Sequence, residues 1–271
     1  MQSLRITRAA HAPRPRHGAV ATVVAAALLV PLTACGGGGS AAGSGKGGDS
    51  QASLTVLAAS SLTDVFKTAG AAYEKEHPGT EITFSFAGSQ ELAAQVKQGA
   101  PADAVVTADT TTMDGLRAET GKPTVVAENR LVIATGEGNP ERIDGLEDLS
   151  DGGLKVVLAA PEVPVGRYGK QILDARKIGV QPVSQEPNVR AVLSKVELGE
   201  ADAGLVYRTD AATAAGKVDA VEIPDEQNAA AAYPAATLKA SRHADAAAGF
   251  VRWLSGDEAQ KIFQDAGFQQ P

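Results

Sequence analysis

Cysteine is almost missing from this chain, at one in 271 residues. A lone cysteine cannot close an internal disulfide, so no disulfide scaffold holds the fold. Histidine is scarce as well, at four, and together with one cysteine it leaves little material for a structural zinc site. Positive charge is in deficit: 25 Lys and Arg stand against 32 Asp and Glu, a net charge of -7. A general nucleic-acid binder needs a basic face to displace counterions, and this balance argues against one. There is no Gly-x-Ser-x-Gly elbow and no internal repeat. Long apolar runs are missing too. The run from Ala19 to Val30 is shorter than the roughly 20 residues a membrane span needs. A mean hydropathy of -0.08 excludes a polytopic membrane protein. Hydrophobic residues at 44% and charged residues at 21% exclude a mostly disordered chain. At roughly 150 residues per domain, the length fits one or two domains.

What is present begins with a leader. Arg5, Arg8, Arg14 and Arg16 form a basic stretch, the apolar run follows, and Leu32-Thr33-Ala34-Cys35 closes it. This is the pattern of a secretory signal. Leu-Thr-Ala-Cys resembles a bacterial lipobox, which implies cleavage before Cys35 and a diacylglycerol on its sulfur. Residues 1–34 are thus read as a lipoprotein signal peptide. They carry four arginines and no acids, so their removal takes the net charge from -7 to -11. Residues 35–52 are rich in glycine and serine and read as a flexible tether. The expected location is extracytoplasmic, anchored to the membrane through Cys35.

From about residue 53 onward, short β-like runs alternate with helical stretches. Leu54 to Ala58 reads as a strand. Leu62, Val65, Phe66, Ala69 and Tyr73 share one helical face, and His77-Pro78-Gly79 ends that helix. Further strands are expected at 81–86, 104–108, 131–134, 155–159 and 203–206. Strands alternating with helices predict an α/β fold with mostly parallel sheets. In such sheets, ligands sit beyond the carboxyl ends of strands, where helices begin.

Four strand-to-helix turns stand out. In Ala58-Ala59-Ser60-Ser61-Leu62-Thr63-Asp64, Ser61 fits an N-cap and Asp64 completes a capping-box-like pattern. Phe86-Ala87-Gly88-Ser89 places Ser89 at a helix mouth. In Pro161-Glu162-Val163-Pro164-Val165-Gly166-Arg167-Tyr168, a helix is expected to start near Val165, with Pro164 where a missing N–H does least harm. In Pro187-Asn188-Val189-Arg190, Asn188 suits a cap. Each polar residue could simply cap its helix. Several helix N-termini facing one cleft, however, make an anion site without lysine or arginine, because their first N–H groups are free and that end of the dipole is positive. An acidic protein that binds an anion needs such local dipoles. Asp103 and Asp109 read as turn and cap residues rather than as metal ligands.

These motifs in this order, with Gly-Ala-Pro-Ala-Asp at 99–103 and Gly-Leu-Val-Tyr-Arg-Thr-Asp-Ala at 204–211, resemble the molybdate-binding proteins that feed ABC transporters. The resemblance covers residues 53–271. It implies a two-lobed periplasmic-binding-protein-like fold of type II, with the oxyanion in the cleft between the lobes. Lobe one would be 53–134 plus 235–271, and lobe two 135–234. By motif, Ser61 and Ser89 would supply hydroxyl and backbone donors. Val165 and Val189 would supply backbone N–H groups, and Tyr207 its phenol. Val165 stands where the family usually has a small residue, and its loop is one residue shorter than in some relatives. The resemblance further implies molybdate or tungstate as ligand, no cofactor, no catalytic residue, no direct cation site, an ABC transporter permease as partner and a monomeric protein.

Two other functions compete. One is a binding protein for sulfate, phosphate or an organic acid. The other is a lipid-anchored hydrolase, which needs a nucleophile paired with a base. Only His77 and His243 lie beyond the leader.

Overall fold

A computed structural model describes residues 52–271. The leader, Cys35 and the tether as far as Gln51 lie outside the described residues. The chain opens with β1 (Ala52–Ala59), α1 (Thr63–Glu76), β2 (Thr80–Ala87), α2 (Ser89–Lys97) and β3 (Ala104–Val106). Strand β1 pairs in parallel with β2 and β3. Both of its faces are covered, which is why it reads as a nearly continuous apolar run. Leu54, Val56 and Ala58 belong to the larger core, while Leu57 joins Leu92, Val96, Val105 and Met113 in a smaller one. The α1 face expected from helical spacing is the buried one: Val65, Phe66, Ala69 and Tyr73.

Next come α3 (Thr110–Asp114), β4 (Thr124–Gly136), β5 (Val156–Ala159), α4 (Pro164–Ala175), β6 (Ser184–Glu186), α5 (Val189–Glu197), β7 (Ala203–Tyr207), α6 (Arg208–Thr213), β8 (Val218–Glu222) and β9 (Ala230–Thr237). Helices α7 (Ala244–Trp253) and α8 (Asp257–Asp265) complete the chain. They return to the first part of the fold, where Phe250 and Phe263 lie 6.4 and 6.1 Å from the Phe66 ring. Phe66 is fully buried, and its truncation to alanine would cost about 3–5 kcal/mol.

The strands form one curled, mixed sheet in the order β2-β1-β3-β9-β4-β7-β5-β6, with β8 on the other side of β4. The βα units give the parallel pairs β1–β2, β1–β3, β5–β6 and β5–β7. Strands β4 and β9 add the antiparallel ones. Strand β4 serves two sheet regions. Its residues from Thr124 to Arg130 pair with β9, and those from Leu131 to Thr135 pair with β7. At the exchange point, Asn228 accepts from the Leu131 N–H at 3.1 Å and donates to its carbonyl at 2.9 Å. That amide side chain replaces a missing strand partner at the point where the ladder changes hands.

Candidate functional site

The carboxyl ends of β1, β2, β5 and β7 face one small cavity of about 10 Å³, lined by residues that include Ser61, Ser89, Val165, Val189 and Tyr207. The five residues singled out by sequence are therefore brought together, although 146 positions separate the first from the last. That is about the space one water molecule needs, far below the roughly 300–1,000 Å³ of pockets that take drug-sized ligands.

Its walls are built from helix starts. Helix α4 begins at Pro164, one residue before the expected start near Val165, and α5 begins at Val189. Asn188 caps α5, its side chain accepting from the Ala191 N–H at 3.0 Å. Ser89 is the first residue of α2. The N–H groups of Val165, Val189 and Ser89 thus sit in first turns, where a helix offers them no partner. Gly166 is fixed by this turn, since a Cβ there would lie 2.1 Å from the Ala160 carbonyl oxygen. Across the cavity, a Cβ on Gly88 would lie 2.5 Å from the Pro187 oxygen, which accepts from the Gln90 amide at 2.7 Å.

One capping expectation is corrected by the structure. Ser61 lies in a 3₁₀ turn (Ser60–Leu62) ahead of α1, and Leu62 rather than Ser61 holds the N-cap position, with no side-chain cap bond. The Ser61 hydroxyl instead meets the Tyr233 hydroxyl at 3.0 Å. Ser89 makes no cap bond either; its Oγ accepts from the Ala108 N–H at 3.0 Å. Both hydroxyls are held by long-range contacts, and local helix geometry does not consume them. Tyr207 ends β7 with its ring buried, and among the described residues its hydroxyl has no hydrogen-bond partner. Burial raises its pKa well above the usual phenol range, so the group stays a neutral O–H donor. The cavity lining contains no Asp, Glu, Lys, Arg or His.

Charges sit behind the lining, held in ion pairs. Arg190 of α5 reaches Asp210 at 2.6 Å and Asp64 of α1 at 2.8 Å. Arg167 of α4 reaches Asp109 at 2.8 Å. Complete burial pushes the Asp210 carboxyl up to about 6, against the opposing pull of Arg190. Asp109 caps α3 through the Thr112 N–H, as read from the sequence. These arginines and Tyr233 were missed. The sequence motifs contain Gly-Arg-Tyr and Asn-Val-Arg, but nothing local shows which acids the arginines reach. Asp103 accepts from the Thr55 N–H and the Ser241 hydroxyl, with His243 Nδ1 at 3.3 Å on the same oxygen as Ser241. Ser241 thus directs its proton to the carboxylate, not to the imidazole. Among the described residues, no group of three or more His, Cys, Asp or Glu side chains is placed to hold a metal ion.

A small, donor-lined cavity in a sheet whose two regions share a strand defines a receptor for a small solute. Over residues 54–269 the chain matches the bacterial extracellular solute-binding proteins, and it belongs to that family. It is 39% identical over 254 residues to the molybdate-binding protein ModA of Mycobacterium tuberculosis, covering 92% of this chain and 97% of that protein. The periplasmic molybdate-binding protein of Azotobacter vinelandii has the same fold, with a TM-score of 0.69 at 22% identity over 80% of this chain and 99% of that one. So does the sulfate-binding protein SubI of M. tuberculosis, with a TM-score of 0.73 at 20% identity over 81% and 87%. At these identities the two structures speak to the fold alone.

Proposed function

We propose that this protein captures molybdate, and tungstate with it, outside the cytoplasm and delivers it to an ABC transporter permease. The observation that carries the reading is a cavity that offers hydroxyl and backbone donors and no charged side chain, with a buried Tyr207 hydroxyl that has no partner among the described residues. The name of the 39%-identical relative supports the ligand. Molybdate is fully deprotonated at neutral pH, so it accepts at every oxygen and suits a site made only of donors. Protonated phosphate would require an acceptor as well. Ser61, Ser89 and Tyr207 donate through hydroxyls, and Val165 and Val189 through backbone N–H groups. The role is binding and not catalysis, with no cofactor, and the protein works as a monomer.

Two regions of the sheet act as lobes that open and close about β4 and the β8–β9 connection. The partner exchange on β4 supports boundaries near 130/131 and 228/229, upstream of the 134/135 and 234/235 read from the sequence. Lipid on Cys35 ties the protein to the membrane. A Cys35→Ser form is expected in the soluble fraction or as unprocessed precursor, and a processed, membrane-bound form would overturn the anchor. The ligand is tested by thermal denaturation with added oxyanions. Anything that binds only the native state raises the melting temperature. Molybdate and tungstate should raise it most, sulfate weakly and phosphate hardly at all. A larger shift with phosphate than with molybdate would refute the reading.

A further inference from the structure

Tyr233 lies on β9, fully buried, 172 residues from Ser61 in sequence, and its hydroxyl is 3.0 Å from the Ser61 Oγ. It is absent from the cavity lining, so it contacts the ligand only through Ser61. Either oxygen of this pair could donate, and the surroundings decide which does. Asn129, buried on β4, spends its carbonyl oxygen on the Arg130 N–H at 2.9 Å. Its amide nitrogen, which carries only protons, donates to Thr209 at 2.8 Å, and Asn129 shares with Tyr233 one face of the paired strands β4 and β9. A phenol is the stronger donor and the weaker acceptor of the two hydroxyls, and with the Asn129 oxygen already engaged the phenol proton goes to the Ser61 oxygen.

We propose that Tyr233 is a positioning residue that fills the acceptor side of the Ser61 hydroxyl and thereby aims the Ser61 proton into the cavity. The chain runs from the Tyr233 hydroxyl to the Ser61 hydroxyl to the bound oxyanion. This proposal rests on the reading of the cavity as an oxyanion site. The opposite wall has a parallel arrangement, since the Ala108 N–H occupies the Ser89 oxygen at 3.0 Å. Hydroxyls can donate or accept. Here two of the three are preset as donors, which disfavours any anion that presents a proton.

Tyr233→Phe tests this. It keeps the ring and its packing against Tyr207 and Phe268, whose centroids lie 5.9 and 5.5 Å away. The measurement is a calorimetric double-mutant cycle with molybdate on wild-type protein, Ser61→Ala, Tyr233→Phe and the double variant, each first shown to unfold cooperatively. One neutral hydrogen bond lost from a preset hydroxyl should weaken molybdate by roughly 2- to 12-fold. In the Ser61→Ala background the same change should alter affinity less than about 2-fold, because the residue it acts through is gone. Equal weakening in both backgrounds would mean that Tyr233 acts by another route and would overturn the proposal. So would a Tyr233→Phe variant with full affinity while Ser61→Ala binds weakly. Full affinity in Ser61→Ala itself would instead overturn the underlying reading of the cavity.

Discussion

Replacing Tyr207 by phenylalanine should move stability and affinity in different directions. Tyr207 is 1% exposed, and among the described residues its hydroxyl has no hydrogen-bond partner. A buried polar group without a partner costs the fold about 1–3 kcal/mol. The ring itself is held in the core at an edge-to-face distance of 5.9 Å from Tyr233, and phenylalanine keeps that contact. Without ligand, Tyr207→Phe should thus be as stable as wild type or more so, by up to about 1–3 kcal/mol. With molybdate bound, the same hydroxyl donates to a dianion. Such a bond contributes about 1.5–3 kcal/mol, and its loss weakens binding by roughly 10- to 150-fold. Urea unfolding without ligand gives the first quantity and calorimetry the second. Loss of more than about 1 kcal/mol of ligand-free stability would refute the claim that this hydroxyl is kept for the ligand. So would unchanged molybdate affinity.

The remaining variants separate backbone from side-chain donors and test the buried acid. Val165→Ala and Val189→Ala keep the N–H groups, so calorimetry should show little change in molybdate affinity, while each truncation costs about 1–3 kcal/mol of stability. Ser61→Ala and Ser89→Ala should each weaken molybdate by roughly 10- to 150-fold. If the valine variants lose more affinity than the serine variants, the backbone donors are misassigned. The Asp210 carboxyl is raised from 3.8 to about 6, so between those values the folded state holds a proton that the unfolded state has released. Its contribution to stability is therefore complete below about pH 4 and declines as pH rises to about 6, by an amount of order 3 kcal/mol. Denaturation of wild type and Asp210→Asn across pH 4–7 should show this slope only in the wild type. Identical slopes would contradict it.

Much of this was legible locally. The spacing of Val65, Phe66, Ala69 and Tyr73 gave the buried face of α1, because helical periodicity is set within a few turns. The starts of α4 and α5 followed from Pro164 and Asn188, because proline and asparagine act on their own backbone. Where local chemistry had to compete with distant partners, the reading failed. Ser61 looked like a cap and bonds to a tyrosine 172 residues away. Strand β4 was expected at 131–134, within a stretch from Ala127 that begins as a strand, yet it runs for 13 residues from Thr124. Its first half contains Glu128, Asn129 and Arg130, whose polarity hides a strand specified by pairing with β9. Arg190 and Arg167 belong to motifs visible in the sequence, but their partner acids lie on other elements. Contacts between such elements leave no periodic trace in the chain.

The most direct measurement is a crystal structure of the protein with molybdate. It should show the tetrahedral anion in the cavity, its oxygens accepting from the hydroxyls of Ser61, Ser89 and Tyr207 and from the N–H groups of Val165 and Val189. No acid or basic side chain should touch it. Molybdate bound elsewhere, or held in the cavity by an arginine or lysine side chain, would contradict the donor-only account.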